Sequence, residues 1–123
     1  MPRTSLVMVL GLLGTLSAAQ AAGDPAKGKV VFQRCAVCHR AEKDGGNGLG
    51  PNLFGVVGRR AGTVADFAYS PAMKNSGITW TADKLTAYIT RPAKVVPGNR
   101  MAFAGINDQG QVGDVVAYLA TLK

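Results

Sequence analysis

The sequence predicts an all-α fold of about four helices joined by long loops. Residues suited to cap a helix precede several apolar segments, as Asp24 precedes Pro25. Residues 112–122 carry valine and leucine at intervals of three and four, the period of an amphipathic helix. No segment alternates apolar and polar residues as a half-buried strand does. Glycines crowd residues 45–62, so we expect the middle of the chain to be loops wrapped around something.

Residues 1–21 are expected to be an export signal that is removed. Arg3 supplies a positive charge, residues 6–16 form an uncharged apolar run, and Ala19-Gln20-Ala21 places small residues where a signal peptidase reads them. An apolar run of about a dozen residues is too short to cross a hydrocarbon layer of about 30 Å. We therefore expect cleavage after Ala21, with residues 22–123 forming one domain in the periplasm.

The first two helices are predicted on either side of the glycine-rich loops. Pro25 begins a helix that should reach about Cys35. Residues 41–68 are then expected to be mostly irregular. Ser70 and the proline after it begin a short helix, which Gly77 is expected to end.

Two further helices are predicted in the last third of the chain. Thr81 caps a helix that Pro92 should end. Residues 93–106 are expected to be irregular again, and the last helix should begin at Asn107 or Asp108.

The net charge is strongly positive. The chain has a formal charge of +7, and removal of the export signal would lower it by one because only Arg3 is lost. Such a surplus steers a protein towards acidic partner surfaces. The basic residues are scattered, with no basic helix and no aromatic stacking platform, so nucleic acid is not expected as a partner.

The segment Cys35-Ala36-Val37-Cys38-His39 carries the chemistry. Two thiols at this spacing can add across the two vinyl groups of one haem, and the adjacent imidazole can then bind the iron. The motif therefore predicts one covalently bound haem c, held by Cys35 and Cys38, with His39 as an iron ligand.

Three alternative roles for the cysteine pair fit the sequence less well. A thioredoxin-like pair would follow a strand and begin a helix, whereas Cys35 and Cys38 follow a predicted helix. A structural zinc site needs four ligands, and His39 is the only histidine. A disulfide would leave the glycine-rich middle without a core.

The second axial ligand of the iron must be methionine, lysine, water or nothing, because no second histidine exists. Met73 lies in a predicted helix, where filling the core is the ordinary role of a methionine. Met101 ends an irregular segment, residues 97–101, that can fold back over the haem face opposite His39. Spacing therefore favours Met101 over Met73. Ligation by methionine and histidine favours ferrous iron and leaves no open position.

The order of the motifs across residues 22–123 resembles the class I c-type cytochromes, which include mitochondrial cytochrome c and the soluble electron carriers of purple bacteria. The matching segments are Gly28 and Phe32, residues 35–39, Gly50-Pro51-Asn52-Leu53, Gly58-Arg59, Tyr69, Asn75, Gly77-Ile78-Thr79-Trp80, Tyr88, Pro97-Gly98, Met101, residues 103–106 and Tyr118. The resemblance implies the small cytochrome c fold around one haem.

The resemblance also implies roles for individual residues around the haem. The Pro51 carbonyl would accept a hydrogen bond from His39. Three residues would bind the buried haem propionate: Arg59, Tyr69 and Trp80. Polar contacts near the haem and Met101 would come from Asn75 and Tyr88, and Phe103 would cover the haem edge. Close crossing of the first and last helices, near Tyr118, would depend on Gly28.

The same resemblance places docking charges at Arg34, Lys94 and Arg100. It also exposes two departures from the mitochondrial pattern. Asn47 stands where a second histidine often bridges two loops, so that brace is expected to be absent or altered. Asn99 stands where a hydroxyl residue is common, so the hydrogen bonding around the ligand sulfur should change.

The implied function is one-electron transfer rather than enzymatic catalysis. The expected partners are acidic surfaces of redox proteins such as a quinol–cytochrome c oxidoreductase, an oxidase or a photosynthetic reaction centre, approached by a monomer that associates with the membrane surface only transiently. A peroxidase or gas sensor is the main alternative, and it would need an open iron position. A third possibility is that the chain is a dedicated subunit of a larger oxidase or dehydrogenase.

Overall fold

The computed structural model describes Pro2 and residues 23–123, so the predicted cleavage after Ala21 lies outside the described residues. The elements in chain order are α1 (Pro25–Val31), α2 (Gln33–Ala36), α3 (Pro71–Lys74), α4 (Ala82–Thr90), α5 (Pro92–Val95) and α6 (Gln109–Ala120). Within the described residues there is no strand, only one isolated bridge between Arg60 and Thr79. The all-α prediction is confirmed.

Side-chain caps begin four of the helices, as expected from the sequence. Asp24 caps α1 by accepting hydrogen bonds from the backbone of Ala26 and Lys27. The other capping side chains are Ser70 for α3, Thr81 for α4 and Asp108 for α6, each accepting from the backbone N–H three residues later. Asp108, rather than Asn107, is therefore the residue that caps the last helix.

The helix boundaries differ from the prediction at three places. Phe32 has right-handed helical angles and links α1 to α2, so the first predicted helix is two nearly continuous segments. The short helix α3 ends before Gly77. The prediction of irregular structure from residue 93 is wrong for α5. There, Pro92 supplies the first helical position with its φ already fixed, and the Val96 N–H closes the turn on the Pro92 carbonyl at 2.9 Å.

Helices α1 and α6 cross at very short range. A Cβ atom added to Gly28 would collide with the backbone carbonyl of Asp114, so this crossing requires glycine. Beside it, the rings of Phe32 and Tyr118 pack with centroids 5.1 Å apart. The core continues along α6 through Val112 and Val115, which are completely buried.

A short backbone ladder joins the loop after α2 to the segment before α4. The Trp80 N–H donates to the Arg59 carbonyl and the Gly58 N–H to the Trp80 carbonyl, both at 2.8 Å. This pairing fixes Arg59 and Trp80 next to the core. Within residues 23–123, no helix is both long and apolar enough to cross a membrane.

Candidate functional site

Two adjoining clefts, with volumes of about 300 and about 420 Å³, lie between the helices and the loops. Five residues form walls of both: Cys38, His39, Trp80, Met101 and Ala102. Most other walls of the smaller cleft are apolar: Phe32, Val37, Leu53, Val56, Leu85, Ile89, Phe103 and Leu119. The larger cleft is completed by loop residues from 49–51, 67–70 and 99–100, together with Met73.

The two cysteines lie on one helical turn, and both line the smaller cleft. The Cys38 N–H bonds to the Cys35 carbonyl at 3.0 Å, and the His39 N–H bonds to the same oxygen at 2.9 Å. Both thiols are partly exposed and are not joined in a disulfide. Burial raises the pKa of the Cys35 thiol; nearby Arg34 opposes this shift, and Cys38 adds to it.

The imidazole of His39 is oriented by a backbone carbonyl. Its Nδ1 lies 2.7 Å from the Pro51 oxygen, so Nδ1 carries the proton and Nε2 keeps a lone pair available to a metal. Burial lowers the pKa of His39, outweighing the Pro51 hydrogen bond that raises it, while Arg59 lowers it further. Gly50 packs directly against the ring, where any Cβ atom would collide with it.

Met101 is fixed by the residue two positions before it. The Asn99 side chain accepts a hydrogen bond from the Met101 N–H at 2.8 Å and donates one to the Val96 carbonyl at 2.9 Å. The Tyr88 hydroxyl lies 3.9 Å from the Met101 sulfur. Burial raises the pKa of Tyr88 to about 12, so the hydroxyl stays protonated and can donate towards the sulfur.

The three predicted propionate partners all line the two adjoining clefts, and Trp80 belongs to the wall that the clefts share. Arg59 lines the smaller cleft, Tyr69 the larger, and only Trp80 lines both. Arg59 donates to the backbone oxygens of Asn52 at 2.9 Å and Phe54 at 3.2 Å, and burial lowers its pKa. The Tyr69 hydroxyl accepts a hydrogen bond from the backbone of a neighbouring loop residue at 3.0 Å. The ring of Trp80 packs on that of Tyr88, with centroids 4.9 Å apart.

The remaining predicted residues divide between the clefts and the surface. Phe103 lines the smaller cleft and Pro51 the larger. Asn75 is exposed just after α3 and lines neither cleft. The structure therefore gives no support to the polar contact expected from Asn75.

The residues that were not predicted for the site include Phe67, in a cleft wall, and Asn52, next to the cleft residue Pro51. Phe67 lines the larger cleft and meets Tyr69 edge to face, with centroids 4.8 Å apart. The only feature of the sequence that pointed to Phe67 was its position two residues before another aromatic residue, Tyr69. The Asn52 side chain holds the loop between His39 and Pro51, because it donates hydrogen bonds to the carbonyls of Glu42 at 2.9 Å and Gly46 at 3.0 Å. Asparagine after Gly-Pro indicates a turn but not these distant partners.

The donor set fits a covalent haem. The site combines two thiols on one helical turn, an imidazole with an available lone pair, and a thioether that shares both clefts with that imidazole. The walls between them are largely apolar, as a porphyrin requires. A zinc site does not fit: no group of three or more possible metal-binding residues of the His, Cys, Asp or Glu type exists in the described part of the chain.

Comparison with known proteins agrees with this geometry. Residues 25–123 match the family described as Cytochrome c. The chain is 46% identical over 114 residues to cytochrome c2 of Blastochloris viridis, covering 93% of this chain and 90% of that protein. It is 48% identical over 99 residues to cytochrome c of Chlamydomonas reinhardtii, covering 80% and 88% of the two chains.

Among solved structures, cytochrome cH from Methylobacterium extorquens superposes with a TM-score of 0.76 at 45% identity, covering 80% of this chain and 99% of that one. The fold, the cysteine-histidine segment and these relatives lead to one conclusion. The chain belongs to the cytochrome c family, as a class I c-type cytochrome with covalently bound haem c and the role of an electron carrier.

Proposed function

We propose that this chain is a periplasmic one-electron carrier, not an enzyme, whose haem iron is bound by His39 on one face and Met101 on the other. One observation carries the proposal: His39 and Met101 both form walls of both clefts. When bound, the haem supplies an iron that alternates between ferric and ferrous states.

Each protein group has a definite task in this proposal. Cys35 and Cys38 hold the haem through thioether bonds, and the Pro51 carbonyl keeps the His39 ring in one orientation and increases its donor strength. The Tyr88 hydroxyl faces the sulfur of Met101, and the apolar walls limit the access of water. Nearly fixed ligands keep the two oxidation states similar in geometry, which suits electron transfer.

Met101 is a better ligand candidate than Met73. Met73 is half-buried against the hydrophobic core and lines only the larger cleft. Met101 lies in a loop and shares both clefts with His39. With both axial positions filled, substrates and gases have no direct access to the iron, which argues against a peroxidase or gas sensor.

The charge and the rim of the clefts support docking to acidic redox proteins. Arg34 lines the smaller cleft and Arg100 the larger, both exposed, and Lys94 is exposed on α5. A formal charge of +7 on the full chain adds long-range steering. We propose donors and acceptors of the quinol–cytochrome c oxidoreductase, oxidase or reaction-centre type, met in brief collisions by a monomer.

Spectra of the haem-loaded protein test the ligands. The oxidised protein should show a near-infrared sulfur-to-iron band, and the reduced protein should not bind carbon monoxide at neutral pH. Met101→Ala should lose the band and bind carbon monoxide, whereas Met73→Ala should keep the band. If Met73→Ala loses the band instead, Met101 is not the ligand; carbon monoxide binding by the unaltered protein would support the enzyme or sensor.

Salt dependence tests the docking charges. The rate of reduction by a purified quinol–cytochrome c oxidoreductase should fall as ionic strength rises. Arg34→Ala and Arg100→Ala should slow it at low salt. Lys84→Ala is the matched control, because Lys84 is exposed on α4 and lines neither cleft. Equal effects at all three positions would show that only net charge matters.

A further inference from the structure

The side chain of Asn47 joins two loops that are far apart in sequence. Its Oδ1 accepts a hydrogen bond from the Asn52 N–H at 2.9 Å, and its Nδ2 donates one to the Ala65 carbonyl at 3.0 Å. The side chain is half-buried, so both ends of the amide have protein partners in a site partly shielded from water. The brace expected to be absent or altered is present, and an amide forms it.

Each partner of Asn47 belongs to a segment that forms the site. Asn52 directly follows Pro51, whose carbonyl oxygen lies 2.7 Å from Nδ1 of His39. Ala65 lies just before residues 67–70, which line the larger cleft. A shift of either segment would therefore reach the site without any direct contact from Asn47.

We propose that Asn47 is a positioning residue: its amide holds the Pro51 carbonyl against His39 and keeps the loop of residues 65–69 closed over the larger cleft. The inference rests on the proposed function, because it concerns the orientation of the proposed iron ligand. It gives the Asn47 amide a role in maintaining the hydrogen bond between His39 and Pro51.

The chemistry of the brace requires one acceptor and one donor on the same side chain. An amide supplies both and does not titrate. Aspartate keeps an acceptor for Asn52 but loses the donor and brings negative charge to the Ala65 carbonyl oxygen. A neutral imidazole offers one acceptor and one donor, whereas an imidazolium offers donors only.

Hydrogen exchange of the His39 ring N–H in the haem-loaded protein is the direct readout. Asn47→Ala and Asn47→Asp should accelerate this exchange by about tenfold, corresponding to loss of a partly buried hydrogen bond. Asn75→Ala is the matched control, since Asn75 is an exposed asparagine outside both clefts. Val115→Ala, in the core of α6, is the control for general loss of stability and should leave the ring N–H slow under native conditions.

A histidine at the same position provides a rescue that depends on pH. Asn47→His should restore slow exchange above the pKa of the new imidazole and lose it as the pH falls through that pKa, roughly from pH 7.5 to 5, because protonation removes the acceptor for Asn52. The unaltered protein and Asn47→Ala, each corrected for the intrinsic pH dependence of exchange, should show no such step. The charged neighbours Arg40, Glu42 and Asp66 are present in every variant; in Asn47→His their charges shift the midpoint of the step but do not remove it.

The outcomes separate this inference from the proposed ligation. If the near-infrared band is intact but exchange in Asn47→Ala equals that in Asn75→Ala, the positioning role is wrong and the ligation stands. If Val115→Ala accelerates exchange as much as Asn47→Ala does, the effect is general stability and the proposal fails. Absence of the band in the unaltered protein would overturn the proposed ligation while leaving the exchange comparison measurable.

Discussion

The crossing of α1 and α6 and the loops around the clefts are stabilised in different ways. At the crossing, two helices meet backbone to backbone at Gly28, and α6 buries Val112 and Val115 completely. The loops also bury apolar side chains, Val56 and Trp80 among them, but asparagine side chains join their backbone segments. Three of these asparagines each donate and accept through one amide: Asn47, Asn52 and Asn99.

The difference shows how a small domain can order long loops. A helix satisfies its own backbone groups, so it needs only an apolar face and room to approach its partner. A loop has no regular ladder that pairs all its backbone groups, and a short amide side chain can satisfy two of the remaining ones at once. The helix crossing therefore needs no partner other than the two helices, whereas the loops also face the clefts that we propose hold the haem.

The largest expected effect comes from removing both thioether bonds. In Cys35→Ala/Cys38→Ala the haem is no longer attached, and protection of loop amides in residues 41–68 should fall by orders of magnitude, while residual protection persists at the α1 and α6 crossing. Mass measurement of the intact chain and site-resolved hydrogen exchange check this. Uniform loss of protection in helices and loops would contradict the separation of the two regions.

A change at the crossing of α1 and α6 should act on the helices rather than on the loops around the clefts. Gly28→Ala places a methyl group against the Asp114 carbonyl and should lower the free energy of unfolding by about 1–3 kcal/mol, since overpacking outweighs the helix preference of alanine. Gly113→Ala on α6 is the control: its Cβ meets no atom within 4 Å, and it should stabilise by about 0.5–1 kcal/mol. Guanidinium unfolding of both haem-loaded variants measures the difference.

A change in the loop before Met101 should be local. Asn99→Ala removes the hydrogen bonds to the Met101 N–H and the Val96 carbonyl and should destabilise this loop by about 1–2 kcal/mol. The near-infrared band should then disappear at lower denaturant than the far-ultraviolet helix signal does. Asn107→Ala, an exposed asparagine before α6, should leave the two transitions as they are in the unaltered protein.

The smallest effect is expected at Tyr88. Tyr88→Phe keeps the ring packed on Trp80 but removes the hydroxyl that lies 3.9 Å from the Met101 sulfur. A contact of this length to a thioether is weak, so loss of the ligand in a denaturant titration should shift by less than about 1 kcal/mol. A shift as large as that of Asn99→Ala would show that the hydroxyl, and not the loop backbone, holds Met101.

Local signals in the sequence determined much of the fold and the chemical centre. Asp24, Ser70 and Thr81 cap helices because a cap bonds to a backbone group only two or three residues away. The cysteine pair and His39 likewise act within one turn of chain, so their spacing predicted both the cofactor and the family. A turn without an apolar stripe carries a weaker signal, and α5 was therefore missed.

Contacts between distant segments were decided by the tertiary structure alone. Asn47 reaches Ala65, eighteen residues along the chain. The resemblance marked Asn47 as a position where two loops are often bridged, but no local pattern indicated that an asparagine would keep the bridge or that Ala65 would be its partner. The structure also placed Arg59 and Tyr69 in the walls of two adjoining clefts and left Asn75 on the surface. The physical reason is that a loop has no repeating pattern of its own: its side chains find partners only after the helices have fixed where its ends lie.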